Sequence, residues 1–256
     1  MRWIIYILSF FWKIYIAIIF CVFAVLLYPV FILLLSVKKW RKKTFNVFTF
    51  WSWVIRILCF YPVKRIIDSP IPKGPYIVVA NHTSYLDIFL MYSILPKYPF
   101  VFLGKSEILS YPLIGTFFKD LNVPVDRKDK KKSRKSYFEA IKKVEQGYSL
   151  IIFPEGGYGS KGLPKMRPFK QGSFRLAKTL NVPLIPVTFT NNFKLFSDPT
   201  LFKATAHPGL VRTYIHPHIS VEEIEKMEIS ELCDYCFDII NAPLLKEYPH
   251  LKDTQS

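Results

Sequence analysis

Acidic residues are scarce. The chain carries 19 Asp and Glu against 35 Lys and Arg, a formal net charge of +16 at pH 7. A charge of that size calls for an anionic partner: nucleic acid, a phospholipid surface or a phosphate-bearing substrate. The sequence has no zinc-finger spacing, recognition helix or RNA-binding aromatic signature, so nucleic acid is not expected. Cysteine is sparse as well. Of the four, Cys21 and Cys59 lie in apolar stretches, and Cys233 and Cys236 form a lone C-x-x-C without a second pair. That falls short of a four-ligand zinc set and of a disulfide framework, and suits a reducing, cytoplasmic setting. His207, His216 and His218 do not make a ligand set either, so no metal is expected. No Gly-Lys-Ser/Thr follows the glycine-rich run at 156–159, which excludes a P-loop, and no internal repeat is present.

What the chain has in quantity is apolar surface. Hydrophobic residues make up 51% and aromatics 17%, and mean hydropathy is positive at +0.21. Its 256 residues suit one α/β domain with a small extra module. Residues 3–37 are almost uniformly apolar, with Lys13 the sole charge. As one helix they would run about 50 Å against about 30 Å of hydrocarbon. The segment is therefore expected to tilt, bend near Pro29 or lie partly in one leaflet, with Lys13 snorkelling to a surface. A cleaved signal peptide is not expected, because the apolar run is too long and lacks a small-residue cleavage site. Five cations come next, at Lys38, Lys39, Arg41, Lys42 and Lys43. They predict a cytoplasmic location for the rest of the chain, on the inner face of the cell membrane, and contact with anionic phospholipid. Residues 44–61, with Phe45, Phe48, Phe50, Trp51, Trp53 and Phe60, read as a second, shallow or interfacial helix. The expected organisation is a membrane anchor over 1–61 with its basic connector at 38–43, a catalytic domain over 62–248 and a flexible tail over 249–256.

Beyond a Pro- and Gly-containing linker at 69–75, short apolar strands alternate with helices. Strands are predicted at 76–80, 100–103, 149–153, 182–189 and 211–215, and helices at 84–95, 133–146, 172–180 and 221–247. This pattern predicts an α/β fold with a mixed, mainly parallel sheet flanked by helices.

Three segments carry candidate chemistry. Asn81-His82-Thr83-Ser84-Tyr85-Leu86-Asp87 sits where a buried strand gives way to a helix. In α/β folds active sites gather there. His82 is a candidate general base, and Asp87 is spaced to reach back and orient it. The same residues also read as a helix start, with Ser84 as cap and Asp87 as a first-turn acid. On this segment alone both readings stand. Phe153-Pro154-Glu155-Gly156-Gly157-Tyr158-Gly159 comes after another buried strand and offers glycine amides to an anion. Lys105, near Glu107, and Arg127, beside Asp126, are candidate phosphate or carbonyl contacts.

As an ordered set these segments resemble the glycerolipid acyltransferase family, of the 1-acyl-sn-glycerol-3-phosphate acyltransferase type. Asn81, His82 and Asp87 match its Asn-His-x4-Asp motif. Lys105, Glu107, Asp126 and Arg127 match its second region, and Phe153 to Gly156 its Phe-Pro-Glu-Gly. Val182, Pro183, Pro186 and Val187 match its proline-flanked strand, and Phe169, Lys170 and Gly172 its Phe-Lys-x-Gly stretch. The resemblance implies an O-acyltransferase in which His82 deprotonates a lysolipid hydroxyl, Asp87 orients His82, and the oxygen attacks the thioester of acyl-CoA or acyl-carrier protein directly. It implies Lys105 as oxyanion or substrate support, and Arg127, Glu155, Gly156 and Gly157 on the side of the acceptor phosphate. It implies an N-terminal two-helix membrane-embedded motif and no cofactor beyond the acyl cosubstrate. The leading expected reaction converts lysophosphatidic acid to phosphatidic acid. One departure bears on it: Gly157-Tyr158-Gly159 stands where the family has Thr-Arg-Ser, removing a hydroxyl and a guanidinium. Lys161, Lys165 and Arg167 are candidates to restore the charge. A lyso-ornithine or other lyso-aminolipid acceptor remains the alternative, and a non-catalytic lipid-binding protein the second.

Overall fold

The computed structural model describes residues 2–106, 115, 121–126, 129–157, 163–198 and 200–254. Its centre is a seven-stranded sheet: β1 (Val63–Ile67), β2 (Ile77–Ala80), β3 (Phe100–Lys105), β4 (Val123–Val125), β5 (Ser149–Ile152), β6 (Leu184–Phe189) and β7 (Val211–Ile215). The order is β1-β7-β6-β2-β5-β3-β4. All neighbours are parallel except β6 and β7. Strands β2 to β6 thus share one direction, and β1 and β7 run against them.

Sheets of this kind are buried on both faces, so central strands need apolar residues at every position rather than every second one. β2 meets that demand: Ile77, Val78, Val79 and Ala80 are all fully buried. Successive side chains go to opposite faces. Ile77 and Val79 join the core beneath α4 (Lys130–Glu145), α5 (Gly172–Leu180), α7 (Val221–Lys226) and α8 (Ile229–Glu247). Val78 and Ala80 join the core beneath α2 (Thr44–Leu58) and α3 (Tyr85–Ile94). A short helix, α6 (Asn192–Leu195), comes after β6.

The N-terminal helix α1 (Arg2–Ser36) is a single element with Pro29 inside it. Its buried residues are Ser9, Lys13, Ile16, Ala24, Phe31 and Leu35, a stripe at helical spacing. That stripe packs with Trp51, Ile55, Leu86 and Leu90 of α2 and α3. The outer face stays apolar and exposed, including Phe11, Ile18, Val25, Leu26 and Leu33. The helix is long and apolar enough to cross a membrane.

Several expectations change. Lys13 does not snorkel: it is buried, and its Nζ donates to the carbonyls of Asp198 (3.3 Å) and Leu201 (2.9 Å). A buried ammonium needs acceptors, and these two carbonyls supply them. Helix α2 is half core: Phe45, Trp51 and Ile55 are buried while Phe50, Trp53 and Ile57 are exposed. The final helical stretch breaks at Met227, whose extended backbone separates α7 from α8. The expected loose tail begins as a 3-10 turn, Pro249–Thr254, anchored by buried Leu251. β1 is a strand that the sequence pattern does not predict. Its exposed Lys64 and Arg65 mark it as the sheet's edge, where charge is usual.

Candidate active site

The site lies beyond the carboxyl ends of β2, β3, β5 and β6. Two loops build it, and a buried carboxylate organises each.

The first loop leaves β2 and starts α3. Ser84 has extended backbone, and its Oγ accepts from Leu86 N (3.1 Å) as an N-cap. Asp87, three residues on, closes the capping box by accepting from Ser84 N (2.9 Å). The same oxygen, Oδ2, accepts from Thr83 N (2.6 Å) and faces His82 Nδ1 (3.0 Å). The other oxygen, Oδ1, accepts from Asn192 Nδ2 (2.7 Å). Asp87 is wholly buried, and four donors surround it, which satisfies the hydrogen-bonding capacity of a buried carboxylate. With Asp87 as acceptor the His82 proton sits on Nδ1, and Nε2 becomes the basic ring atom. The imidazole stacks on Phe153, ring centroids 4.1 Å apart at 18°. Asn81 serves the frame: it exchanges two hydrogen bonds with the Phe189 backbone (2.9 and 2.8 Å), tying the β2 loop to β6.

The second loop leaves β5. Gly156 N donates to Phe153 O (3.1 Å), closing a turn with Pro154 and Glu155 in its middle, a residue order such turns favour. Gly156 (φ 87°) and Gly157 (φ 138°) hold conformations that side chains rarely adopt. Glu155 is buried and spans both loops: Oε1 accepts from His82 N (2.9 Å) and Oε2 from Arg167 N (2.9 Å). Burial holds its carboxyl above the usual range, opposed by these two N–H groups and by the Arg167 guanidinium.

The structure therefore brings His82, Asp87, Glu155, Gly156 and Gly157 together. Lys105, exposed at the end of β3, joins them. A Cβ on Gly157 would lie 3.1 Å from Lys105 Cε, 3.2 Å from its Nζ and 4.0 Å from an Arg167 guanidinium nitrogen. Lys105 thus crowds the space that a side chain at 157 would fill, and the Arg167 guanidinium borders it. Of the three candidates to restore the missing charge, Arg167 is placed beside this loop; Lys161 lies outside the described residues, as do Arg127, Glu107, Tyr158 and Gly159. The Gly156 amide donates within its own turn, to Phe153 O. Sequence reasoning missed Asn192, which lies 105 positions beyond Asp87 and belongs to no motif considered.

Among the described residues no cluster of three or more His, Cys, Asp or Glu forms a metal set. Cys233 and Cys236 lie buried on α8 with free thiols, and burial pushes both up.

The acyltransferase family model matches residues 63–190, half of the chain and the whole stretch from β1 to the end of β6. This chain belongs to the acyltransferase family. It is 31% identical over 185 residues to a chloroplastic 1-acyl-sn-glycerol-3-phosphate acyltransferase of Brassica napus, covering 71% of this chain and 52% of that one. It is 31% identical over 212 residues to the 1-acyl-sn-glycerol-3-phosphate acyltransferase of Saccharomyces cerevisiae, covering 78% and 66%. The chain thus spans about half the length of the first of these curated relatives. The crystal structure of the 1-acyl-sn-glycerophosphate acyltransferase PlsC from Thermotoga maritima shares the fold of this chain, with a TM-score of 0.76 at 23% identity over 96% of this chain and 97% of that one.

Proposed function

We propose that this acyltransferase moves a fatty acyl group from a thioester donor, acyl-CoA or acyl-carrier protein, to the sn-2 hydroxyl of lysophosphatidic acid, giving phosphatidic acid. One observation carries the reading: the carboxylate-oriented imidazole of His82 stands beside a loop over which Lys105 and Arg167 converge. His82 Nε2 takes the hydroxyl proton as the oxygen attacks the thioester carbon. The tetrahedral intermediate then collapses, the C–S bond breaks, and the departing sulfur recovers the proton. Asp87 stabilises the transient imidazolium. Direct transfer uses no acyl-enzyme and no resident cofactor. Lys105 and Arg167 favour an acceptor with a phosphate over a lyso-aminolipid, because both present donors to a dianion.

The membrane reading rests on α1. Its buried stripe runs from Ser9 to Leu35, so α2 and the domain behind it together cover about 39 Å of helix, more than the hydrocarbon thickness of about 30 Å. Such a helix suits one leaflet, lying in its plane with the exposed apolar face in lipid. Beyond it, Arg41 of the connector lines a groove with Lys135, Phe138, Lys142 and Lys143 of α4. Lys42 and Lys143 both lie over the Tyr148 ring, at 5.2 and 5.6 Å. This basic face fits anionic headgroups on the cytoplasmic surface of the cell membrane.

The test is acyl transfer by the purified full chain in mixed micelles, with acyl-CoA or acyl-carrier protein as donor and a panel of lysolipid acceptors. Phosphatidic acid formed with wild type and lost with His82→Ala is the expected result. Acylated aminolipid without phosphatidic acid overturns the acceptor, and full activity in His82→Ala overturns the mechanism.

A further inference from the structure

The turn after β6 reaches into the catalytic network. Asn192 opens α6, is wholly buried and donates through Nδ2 to Asp87 Oδ1 at 2.7 Å. The two carboxylate oxygens are therefore treated differently. Oδ2 is engaged by its own loop, through His82, Thr83 and Ser84. Oδ1 is engaged from a distant part of the chain. The turn that carries Asn192 is itself braced. Ser84 Oγ donates to Phe196 O (2.5 Å), and Tyr61 Oη donates to Leu195 O (3.2 Å) while accepting from Trp12 Nε1 of α1 (3.1 Å). Asn191 adds two bonds to β7 and its approach, Nδ2 to Leu210 O (2.8 Å) and Oδ1 from Arg212 N (2.9 Å). The amide thus has little room to move off the carboxylate.

We propose that Asn192 is a positioning residue for the acyl-transfer reaction: it fixes the plane of the Asp87 carboxylate, and through it the direction of the His82 ring. This inference rests on His82 acting as the base. The argument is one of donors and lone pairs. A carboxylate held on one oxygen alone can rotate about its Cβ–Cγ bond, and the imidazole bonded to that oxygen moves with it. A donor on the second oxygen removes the rotation. The donor must also be neutral and unable to titrate: a cation there would draw the carboxylate away from His82, and a carboxylate would repel it. An amide fits both requirements.

The experiment compares Asn192→Ala and Asn192→Asp in the full chain with wild type, reading kcat and KM for donor and acceptor across pH, with far-UV circular dichroism as a fold control. Asn192→Ala is expected to lower kcat about 10-fold, equivalent to about 1.4 kcal/mol, with both KM values within about 2-fold. Asn192→Asp keeps the shape and exchanges donor for acceptor. Two facing carboxylates must share one proton, so this variant is expected to approach wild-type kcat toward acid pH and to lose activity as pH rises. A purely structural role would not produce that reversal. If Asn192→Asp is folded and tracks the wild-type pH profile, or if Asn192→Ala keeps wild-type kcat, the proposal is overturned. His82→Ala runs alongside: its retention of activity would bring down the base assignment itself, whereas an inactive His82→Ala with unchanged Asn192 variants overturns this inference alone.

Discussion

Replacing Asp87 by asparagine separates its two tasks, because an amide can keep the geometry while losing the charge. In Asp87→Asn the side-chain oxygen, placed on the Oδ2 side, would still accept from Thr83 N, Ser84 N and His82 Nδ1. The new NH2 group would then face Asn192, whose own Oδ1 has no hydrogen-bond partner among the described residues. A half-turn of the Asn192 amide would present that oxygen and restore the bond. The helix cap and the His82 tautomer should thus survive, and the fold with them. What disappears is the negative charge facing the imidazolium as it forms. Unit charges about 4 Å apart at an effective dielectric of about 20 interact by about 4 kcal/mol, so kcat should fall about 1,000-fold. The assay is release of free thiol from acyl-CoA together with chromatographic measurement of phosphatidic acid. KM for the donor should hold, and far-UV circular dichroism should match wild type. A folded Asp87→Asn enzyme within about 10-fold of wild-type kcat, beside an inactive His82→Ala, would refute an electrostatic role and leave Asp87 as a cap.

Three further outcomes are expected. Arg167→Gln should raise KM for lysophosphatidic acid about 5- to 10-fold while sparing the donor, a modest effect because the guanidinium is half exposed and screened; equal KM values would remove Arg167 from the acceptor site. Lys142→Glu with Lys143→Glu should weaken binding to vesicles containing anionic phospholipid, measured by flotation, and leave binding to neutral vesicles unchanged; equal loss on both would place the effect in folding. His216 should contribute to acid sensitivity. Burial holds it below the usual imidazole range against the pull of Asp68, and its Nε2 donates to Thr188 Oγ1 at 2.9 Å. Folded and unfolded forms are both neutral above the unfolded value of 6.5, so the term is absent there. As pH falls below it, the unfolded chain takes a proton that the folded chain resists, and stability declines. His216→Gln should therefore lose less apparent Tm than wild type between about pH 7.5 and 5.5; an identical decline would exclude this histidine.

Local rules carried much of the molecule. Strands buried on both faces announce themselves as apolar runs, so 77–80, 149–152 and 184–189 were legible, and with them the loops at their ends. The Phe-Pro-Glu-Gly order suits a turn because proline fixes φ at its second position and glycine admits positive φ at its fourth. What was not legible depends on partners distant in sequence. Lys13 reads as a surface charge until the carbonyls of Asp198 and Leu201 are brought to it. Val63–Ile67 carries too little apolar pattern to read as a strand, and forms one because β7 offers a parallel edge. Asn192 has no signature at all: an asparagine after a strand is ordinarily a turn residue, and only the folded chain shows the carboxylate it meets. The exchange of charge around Gly157 lies between these cases. The lost arginine was visible as a departure from the family pattern, whereas the choice of Arg167 among nearby cations needed the Glu155 contact that holds its backbone in place.

The helix start and the proposed catalytic pair are compatible, because one carboxylate makes the bonds of both. Counting back from α3, Ser84 is the cap, and Thr83 and His82 are the two residues before it. To start a helix at Tyr85 the chain must curl so that the amides of Ser84 and Thr83 turn toward the third helical side chain. That curl carries the next residue back, His82, over the same carboxylate. The five-residue separation of His82 and Asp87 is therefore a property of helix capping before it is a property of catalysis. The cap holds one oxygen of the acid and Asn192 the other, and the imidazole takes its orientation from the carboxylate so held. One residue more or less between them would turn the carboxylate by about 100° around the helix axis and separate the two functions. Glu155 extends the logic to the second loop, since it binds the His82 amide with one oxygen and the Arg167 amide with the other. The proposed base and the loop that carries Arg167 are thereby set relative to each other by backbone bonds to one buried carboxylate.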